Sequence, residues 1–432
     1  MKGQIYTYVL TYLGAPIALF YPFIGLLIFI HFAIIQPQSM WYWVTMPAHH
    51  GKIVGIAMLA GWAMKGFGNW QLHRAQAVVV ALLGFFVWSI VAWRFSDQPP
   101  VAENFVISIL KIVLPCLVAA TLINTTARLR TFIWMLVLSQ GYVAYELNLS
   151  YYAGINRLTV EGFGGMDNNY VSVAMVTGAG MAFFLGLAER RIWAKGLAFL
   201  AAVLMVHAVM FSFSRGGMLS LIITGVVAFL LISKKPAHVL MFVVALMLAL
   251  RLAGPEVRTR FSSVFVDPAE RDASTTSRLD SWKGCWDAMK HEPIVGVGPN
   301  HWRSVAGRYG YPGLEAHSLW LQAGAELGFP GLGFLLAFYG ICVMRLYPMT
   351  RPRAQIPDPW LRDVARMVIA SLAGFAVAAQ FVSISGLELP YYVVMVGALA
   401  IKLSHVSPAA RAAPANAPQQ TTSAPPAAAG VA

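Results

Sequence analysis

The sequence predicts an all-α, polytopic integral membrane protein, and three observations carry that prediction. Of 432 residues, 58% are hydrophobic and only 11% charged, against roughly a quarter charged in an ordinary soluble domain. So few charges cannot cover the surface of a water-soluble fold of this size, which excludes a cytosolic enzyme, a disordered hub and a secreted disulfide scaffold. Apolar runs that meet or approach the roughly 20 residues needed by a membrane-crossing helix recur along the chain. The net charge of +13 is spread over the short loops between those runs, a topology signal and not the footprint of a nucleic-acid-binding surface.

Taken in order, the runs lie near 5–35, 51–67, 75–95, 104–124, 131–150, 170–188, 195–213, 217–233, 236–253, 318–345, 363–382 and 389–404. The first is too long for one straight helix, and Pro16 and Pro22 interrupt it. It is either a broken single crossing or a tight hairpin. The leading MKGQIYTYVL has no small-residue cleavage site and reads as a retained anchor.

Basic residues gather in alternate loops: Lys2; Lys65 and Arg74; Arg128 and Arg130; Arg190, Arg191 and Lys195; Lys234 and Lys235; Arg345, Arg351, Arg353 and Arg362; Lys402 and Arg411. The loops near 36–50, 96–103, 151–169 and 384–388 are poor in them. The alternation is self-consistent when run 5–35 makes one net crossing, which predicts about 12 transmembrane helices and two cytoplasmic termini. The short runs near 51–67 and 217–233 leave eleven or thirteen open.

Residues 254–315 form one large external loop with eight acidic and eight basic side chains, in which SRLDSWKGCWDAMKHE reads as helical. Residues 1–405 thus make one transmembrane domain. The Ala/Pro/Gln/Thr-rich 406–432 cannot bury enough apolar area to order itself and reads as a disordered cytoplasmic tail. Cys116, Cys285 and Cys342 have no ligand spacing, so neither a structural zinc site nor a disulfide framework is expected.

An ionisable group at a membrane boundary is costly and is a functional candidate by default. Several converge on the outer boundary. Arg215 stands in FSFSRGGMLS between the seventh and eighth runs, after Ser214 and before Gly216 and Gly217. The glycines would let a ligand approach the backbone, and the guanidinium fork and a helix N-terminus both suit phosphate oxygens. Phosphate at the lipid–water boundary points to a polyprenyl-diphosphate lipid. The alternative is a snorkelling interfacial arginine.

His317, in EAHSLWLQ, suits a general base for an acceptor hydroxyl. The plainer reading is a histidine bonded to a loop carbonyl. Glu315 would have to orient it from the loop, since i and i+2 residues of a helix do not face each other. Asp167 and Asn168, in GGMDNNYVS, and Arg278 and Lys283, in SRLDSWKGCW, lie at the same boundary. Lys111 lies well inside the fourth run and either adds charge near a diphosphate or snorkels outward. Glu326 and His207 read as structural. Glu270 and Asp272 have a spacing that would suit a divalent cation, but a solvated loop is the simpler reading.

SRGG at 214–217, the R-x-x-x-W of Arg278–Trp282, PIVGVGPNHW at 293–302, RYGYPG, and AHSLWLQAGAELGFPGLGFLL at 316–336 occur in one order over roughly 170–345. This combination resembles the bacterial O-antigen ligase and polymerase superfamily of membrane glycosyltransferases. The N-terminal TYLGAPIALFYPFIGLLIFI and the later MDNNY look more like its branch of O-glycosylation ligases associated with exosortase systems. The resemblance implies an enzyme of the inner membrane that moves a glycan from undecaprenyl diphosphate to an acceptor on the periplasmic face. It implies neither metal nor other cofactor. The acceptor would be a lipid A-core sugar, as in lipopolysaccharide biosynthesis, or a protein. His317 would be the catalytic base, and Arg215 and Arg278, helped by Lys283 or Lys111, would bind the diphosphate. Ser214, Gly216, Gly217, Asp167, Asn168 and Glu315 would support them. A polymerase with the same donor chemistry is the alternative, and a lipid-linked sugar transporter the rival from another class. Transporters place polar sites near the midplane, often between internal repeats, whereas these candidates cluster at one surface.

Overall fold

The computed structural model describes residues 2–43, 49–232, 236, 239–240, 243–244, 247, 273–383 and 386–405. Among the described residues the chain is helical, with no strand beyond the isolated bridge Phe163–Met166. In chain order the main helices are α1 (Lys2–Tyr12), α2 (Gly14–Phe20), α3 (Pro22–Ile35), α4 (His50–Met64), α5 (Gln76–Arg94), α6 (Pro99–Leu122) and α7 (Thr126–Tyr152). They continue as α8 (Asn168–Ala188), α9 (Ile192–Phe211), α10 (Arg215–Leu231), α11 (Ala273–His291), α12 (Leu319–Leu346), α13 (Trp360–Ala378) and α14 (Glu388–Ser404).

Six helical stretches are long and apolar enough to cross a membrane: Pro22–Met40, His73–Arg94, Pro99–Leu122, Asn168–Ala188, Ile192–Phe211 and Leu319–Thr350. The protein is therefore a multi-pass membrane protein. Of the other runs expected to cross, α10 is apolar but short, and run 236–253 falls largely outside the described residues, as do 254–272 and 406–432.

The bundle is organised around α14. Every residue from Leu389 to Leu403 is buried, as expected of a helix apolar all round with neighbours on every side. Those neighbours are α13, α12, α6, α7 and α8. Lys402, near its end, donates to Asn124 Oδ1 and to Ala120 O, both at 2.6 Å, so a buried ammonium is satisfied by the carbonyl end of α6.

The loops segregate into two ends. At one, Asn69 N–H donates to Thr121 O at 3.0 Å, Lys402 reaches Asn124, and Arg130 pairs with Glu189. At the other, Arg157 donates to the carbonyls of Ser39 and Met40, Asn156 Nδ2 to Phe211 O at 2.7 Å, and Tyr170 OH to Ser383 O at 2.7 Å. Leu319 N–H there donates to Ala379 O at 2.8 Å. The first end is the basic one, in line with the charge alternation.

The first run departs from that expectation. A Cβ on Gly3 would lie 2.2 Å from the Trp41 ring, Thr11 Oγ1 bonds His50 Nδ1 at 2.9 Å, and a Cβ on Gly25 would lie 2.6 Å from that of Ala18. The Lys65 ammonium sits 5.4 Å over the Tyr21 ring and the Arg128 guanidinium 5.3 Å over the Phe23 ring. The chain thus starts at the end that holds Gln36–Trp41, reaches the basic end at Tyr21 and returns along α3. Run 5–35 is a hairpin, not one net crossing, and Lys2 and Lys402 lie at opposite ends, against the expectation of two termini on one side. One lysine at residue 2 carried the charge argument there. Small residues at the Ala18–Gly25 contact let the two limbs touch.

Candidate functional site

Two helix starts lie side by side at the end away from Lys402. Asp167 caps α8, its Oδ1 accepting from Tyr170 N–H at 2.9 Å. Ser214 caps α10, its Oγ accepting from Gly217 N–H at 3.2 Å while donating to Asn169 Oδ1 at 2.8 Å. Asn168 Nδ2 donates to Ser212 O at 2.8 Å. The two N-termini, each with its partial positive charge, are thereby bound together, and Arg215 opens α10 beside the junction.

The glycines after Arg215 have a different use from the one the sequence suggests. A Cβ on Gly217 would lie 2.5 Å from Ser172 Oγ, and one on Gly216 would lie 3.0 Å from the Phe381 side chain. What they let approach is protein: α8 on one side and the segment after α13 on the other.

Phe381 leads to the rest of the site. Its ring lies 6.4 Å from that of Trp282, and Trp282 Nε1 donates to Ala316 O at 2.9 Å, one residue before His317. Trp282 and Arg278 are four residues apart on α11 and share a face. That helix packs through Cys285, Ala288 and Met289 against Trp302, Ala306, Ala316 and Ala325, forming a small core of its own.

His317 is half-buried, with a left-handed backbone at φ 48°. Burial, and then the Arg278 guanidinium, hold its imidazole below the ordinary value, while Glu315 and Asp167 pull the other way. Such a ring is neutral at neutral pH and able to accept a proton.

The remaining candidates divide. Glu315 precedes the helix, in the loop, and pairs with Arg303 at 3.7 Å. Lys283 is exposed and stands about 140° around α11 from Arg278. Lys111 is exposed in mid-α6, within electrostatic range of Glu388, and nothing places it beside His317. His207 bonds Asn148 Oδ1 at 2.5 Å and stacks on Tyr152, a satisfied histidine as read from the sequence. Glu270 and Asp272 lie outside the described residues.

Glu326 is structural too, joining the loop at 300–302 to its own helix. Its carboxylate accepts from Asn300 N–H at 2.9 Å, Trp302 N–H at 3.3 Å and Gln322 Nε2 at 2.9 Å. It does so just before α12 breaks at Gly328, where φ is 69° and ψ −177°. The carbonyls freed by the break are taken by Val297 and Gly298 N–H and by Trp88 Nε1. The segment PIVGVGPNHW is therefore the filler of the break, and it holds the start of α12, with His317, against the bundle. Phe381 and the Trp282 N–H are not legible in the sequence, because no local pattern signals which segments far apart in the chain will meet.

No curated protein matches the chain. Residues 1–182 match a family described as a family of unknown function (DUF5935). Residues 200–336 match the family described as O-Antigen ligase, a span that holds Arg215, Arg278 and His317. The match over residues 200–336 supports the O-antigen ligase/polymerase superfamily.

Proposed function

We propose that the protein transfers a glycan from undecaprenyl diphosphate to an acceptor hydroxyl, on a lipid A-core sugar or a protein, at the periplasmic face of the inner membrane. The observation that carries this reading is the junction just described. It joins a neutral, half-buried imidazole to Arg278 through Trp282, and to the Arg215 turn through Phe381. The basic end, with Arg130 and Lys402, is then cytoplasmic. Residues 254–315 belong to a periplasmic loop, and 1–405 act as one transmembrane domain with 406–432 as its tail. The hairpin adds one traverse to the twelve that the charges suggest and puts Lys2 on the periplasmic side.

In the proposed step the imidazole of His317 takes the proton of the acceptor hydroxyl as its oxygen attacks the anomeric carbon. The bond from that carbon to the phosphate oxygen breaks, and its electron pair leaves on undecaprenyl diphosphate. Arg215 and Arg278 stabilise the charge that grows there, beside the paired N-termini of α8 and α10. Ser214, Asn168 and Asp167 hold those termini in place. The step needs neither metal nor other cofactor, and one displacement inverts the anomeric carbon. Losing either arginine is expected to cost roughly 10²–10³ in rate.

Mass spectrometry of lipid-linked glycans in the native host, wild type against His317→Ala at matched expression, tests the reading. Build-up of long glycans on the lipid marks a ligase deprived of its base, and build-up of single repeat units marks a polymerase. An unchanged pool with normal surface glycans refutes the catalytic role of His317.

A further inference from the structure

His317 adopts a left-handed backbone conformation, φ 48°, which residues bearing a Cβ rarely hold unless their surroundings over-determine it. The surroundings here do so from both sides. Ahead of it, Trp282 Nε1 donates to Ala316 O at 2.9 Å. Behind it, Ser318 Oγ accepts from Leu321 N–H at 3.4 Å and Leu319 N–H donates to Ala379 O at 2.8 Å. The Trp282 bond is the one that a side chain of α11 supplies, and α11 is the helix that carries Arg278. Trp282 shares the Arg278 face, and the Phe381 ring lies beside its indole.

We propose that Trp282 is a positioning residue for the transfer, tying the backbone at His317 to the helix of Arg278 and so setting how close base and guanidinium stand. The proposal rests on the reading of His317 as the group that activates the acceptor. Three charged groups bear on that imidazole: Arg278 from α11, Glu315 from its own loop and Asp167 from the start of α8. Of these, Arg278 opposes protonation. Without the indole N–H the turn at 316–318 can relax, carrying the ring toward solvent and away from Arg278. Both changes favour the protonated form. The base would then be in the wrong state at a pH where the wild type is active, and displaced from its line of attack.

The test is NMR titration of histidine in the purified full-length chain, with the His317 signal assigned by its loss in His317→Ala, alongside the rate–pH profile of transfer. Trp282→Phe keeps a ring against Phe381 and removes the N–H. The His317 midpoint should rise, the acid limb of the rate profile should rise with it, and kcat should fall roughly 10–100-fold with the donor KM little changed. An unmoved midpoint and an unmoved limb overturn the proposal, whatever the activity, because a packing defect alone would lower the rate without changing either. Should Trp282→Phe not fold, Phe381→Leu loosens the indole without removing it and must shift the midpoint in the same direction; no shift there is equally fatal. Full transfer by His317→Ala would instead sink the catalytic reading, a result the titration does not share.

Discussion

The imidazole of His317 takes its properties from what surrounds it, and that gives a pH dependence with a sign. Burial and Arg278 both favour the neutral ring, so the proton is lost below the ordinary histidine value of 6.5. The base therefore stays available as pH falls through that value and fails only further down. The acid limb of kcat/KM is expected below pH 6.5. Arg278→Met removes the opposing cation and should move the limb up, besides weakening the donor. Asp167→Asn removes a carboxylate that favours the charged ring and should move it down. A limb that stays put in both variants excludes His317 as the titrating base. A second residue-scale expectation concerns Gly217, whose missing Cβ leaves room for Ser172. Gly217→Ala should cost about 1–3 kcal/mol in thermal unfolding, and adding Ser172→Gly should recover part of it. Equal losses in the single and double variants would show that the contact is not what requires glycine. The sequence marked SRGG as a site, but whether a ligand or another helix fills the space over a glycine is not a local property.

Among the elements, α12 shows how a motif acquires meaning from its partners. Its break at Gly328 has a backbone conformation open essentially to glycine alone, and a Cβ there would lie 2.1 Å from Ile294 O. Gly328→Ala should therefore cost about 3 kcal/mol or more, read as a lower unfolding temperature in detergent. Glu326→Gln replaces an acceptor oxygen by a donor facing a buried N–H and should cost about 1–3 kcal/mol. Wild-type stability in both variants would mean that the 293–302 segment is not clamped as described. The residues of both motifs are visible in the chain, as is Pro330 after the break. That the segment at 293–302 supplies N–H groups to carbonyls at 325–326 is not, since spacing carries no information on which loop meets which helix end.

For the whole molecule, the hairpin makes a prediction about sidedness. The three native cysteines are buried, so single replacements can be labelled with a membrane-impermeant thiol reagent against a low background. Lys2→Cys and Tyr152→Cys should react from one side and His405→Cys from the other; labelling of residues 2 and 152 from opposite sides would rule the hairpin out. By itself the sequence determined the membrane class, because the scarcity of charge is a sum over all residues and no arrangement can undo it. It grouped most of the basic loops at one end of the bundle, because each basic cluster signals alone, and motif order made Arg215, Arg278 and His317 its candidates. Tertiary structure alone decided the rest: the path of run 5–35, the link through Trp282 and Phe381, and the central place of α14. A helix apolar on every face has no periodicity to say which neighbours it meets. Which surfaces meet is set by complementary packing of small and large side chains across the bundle.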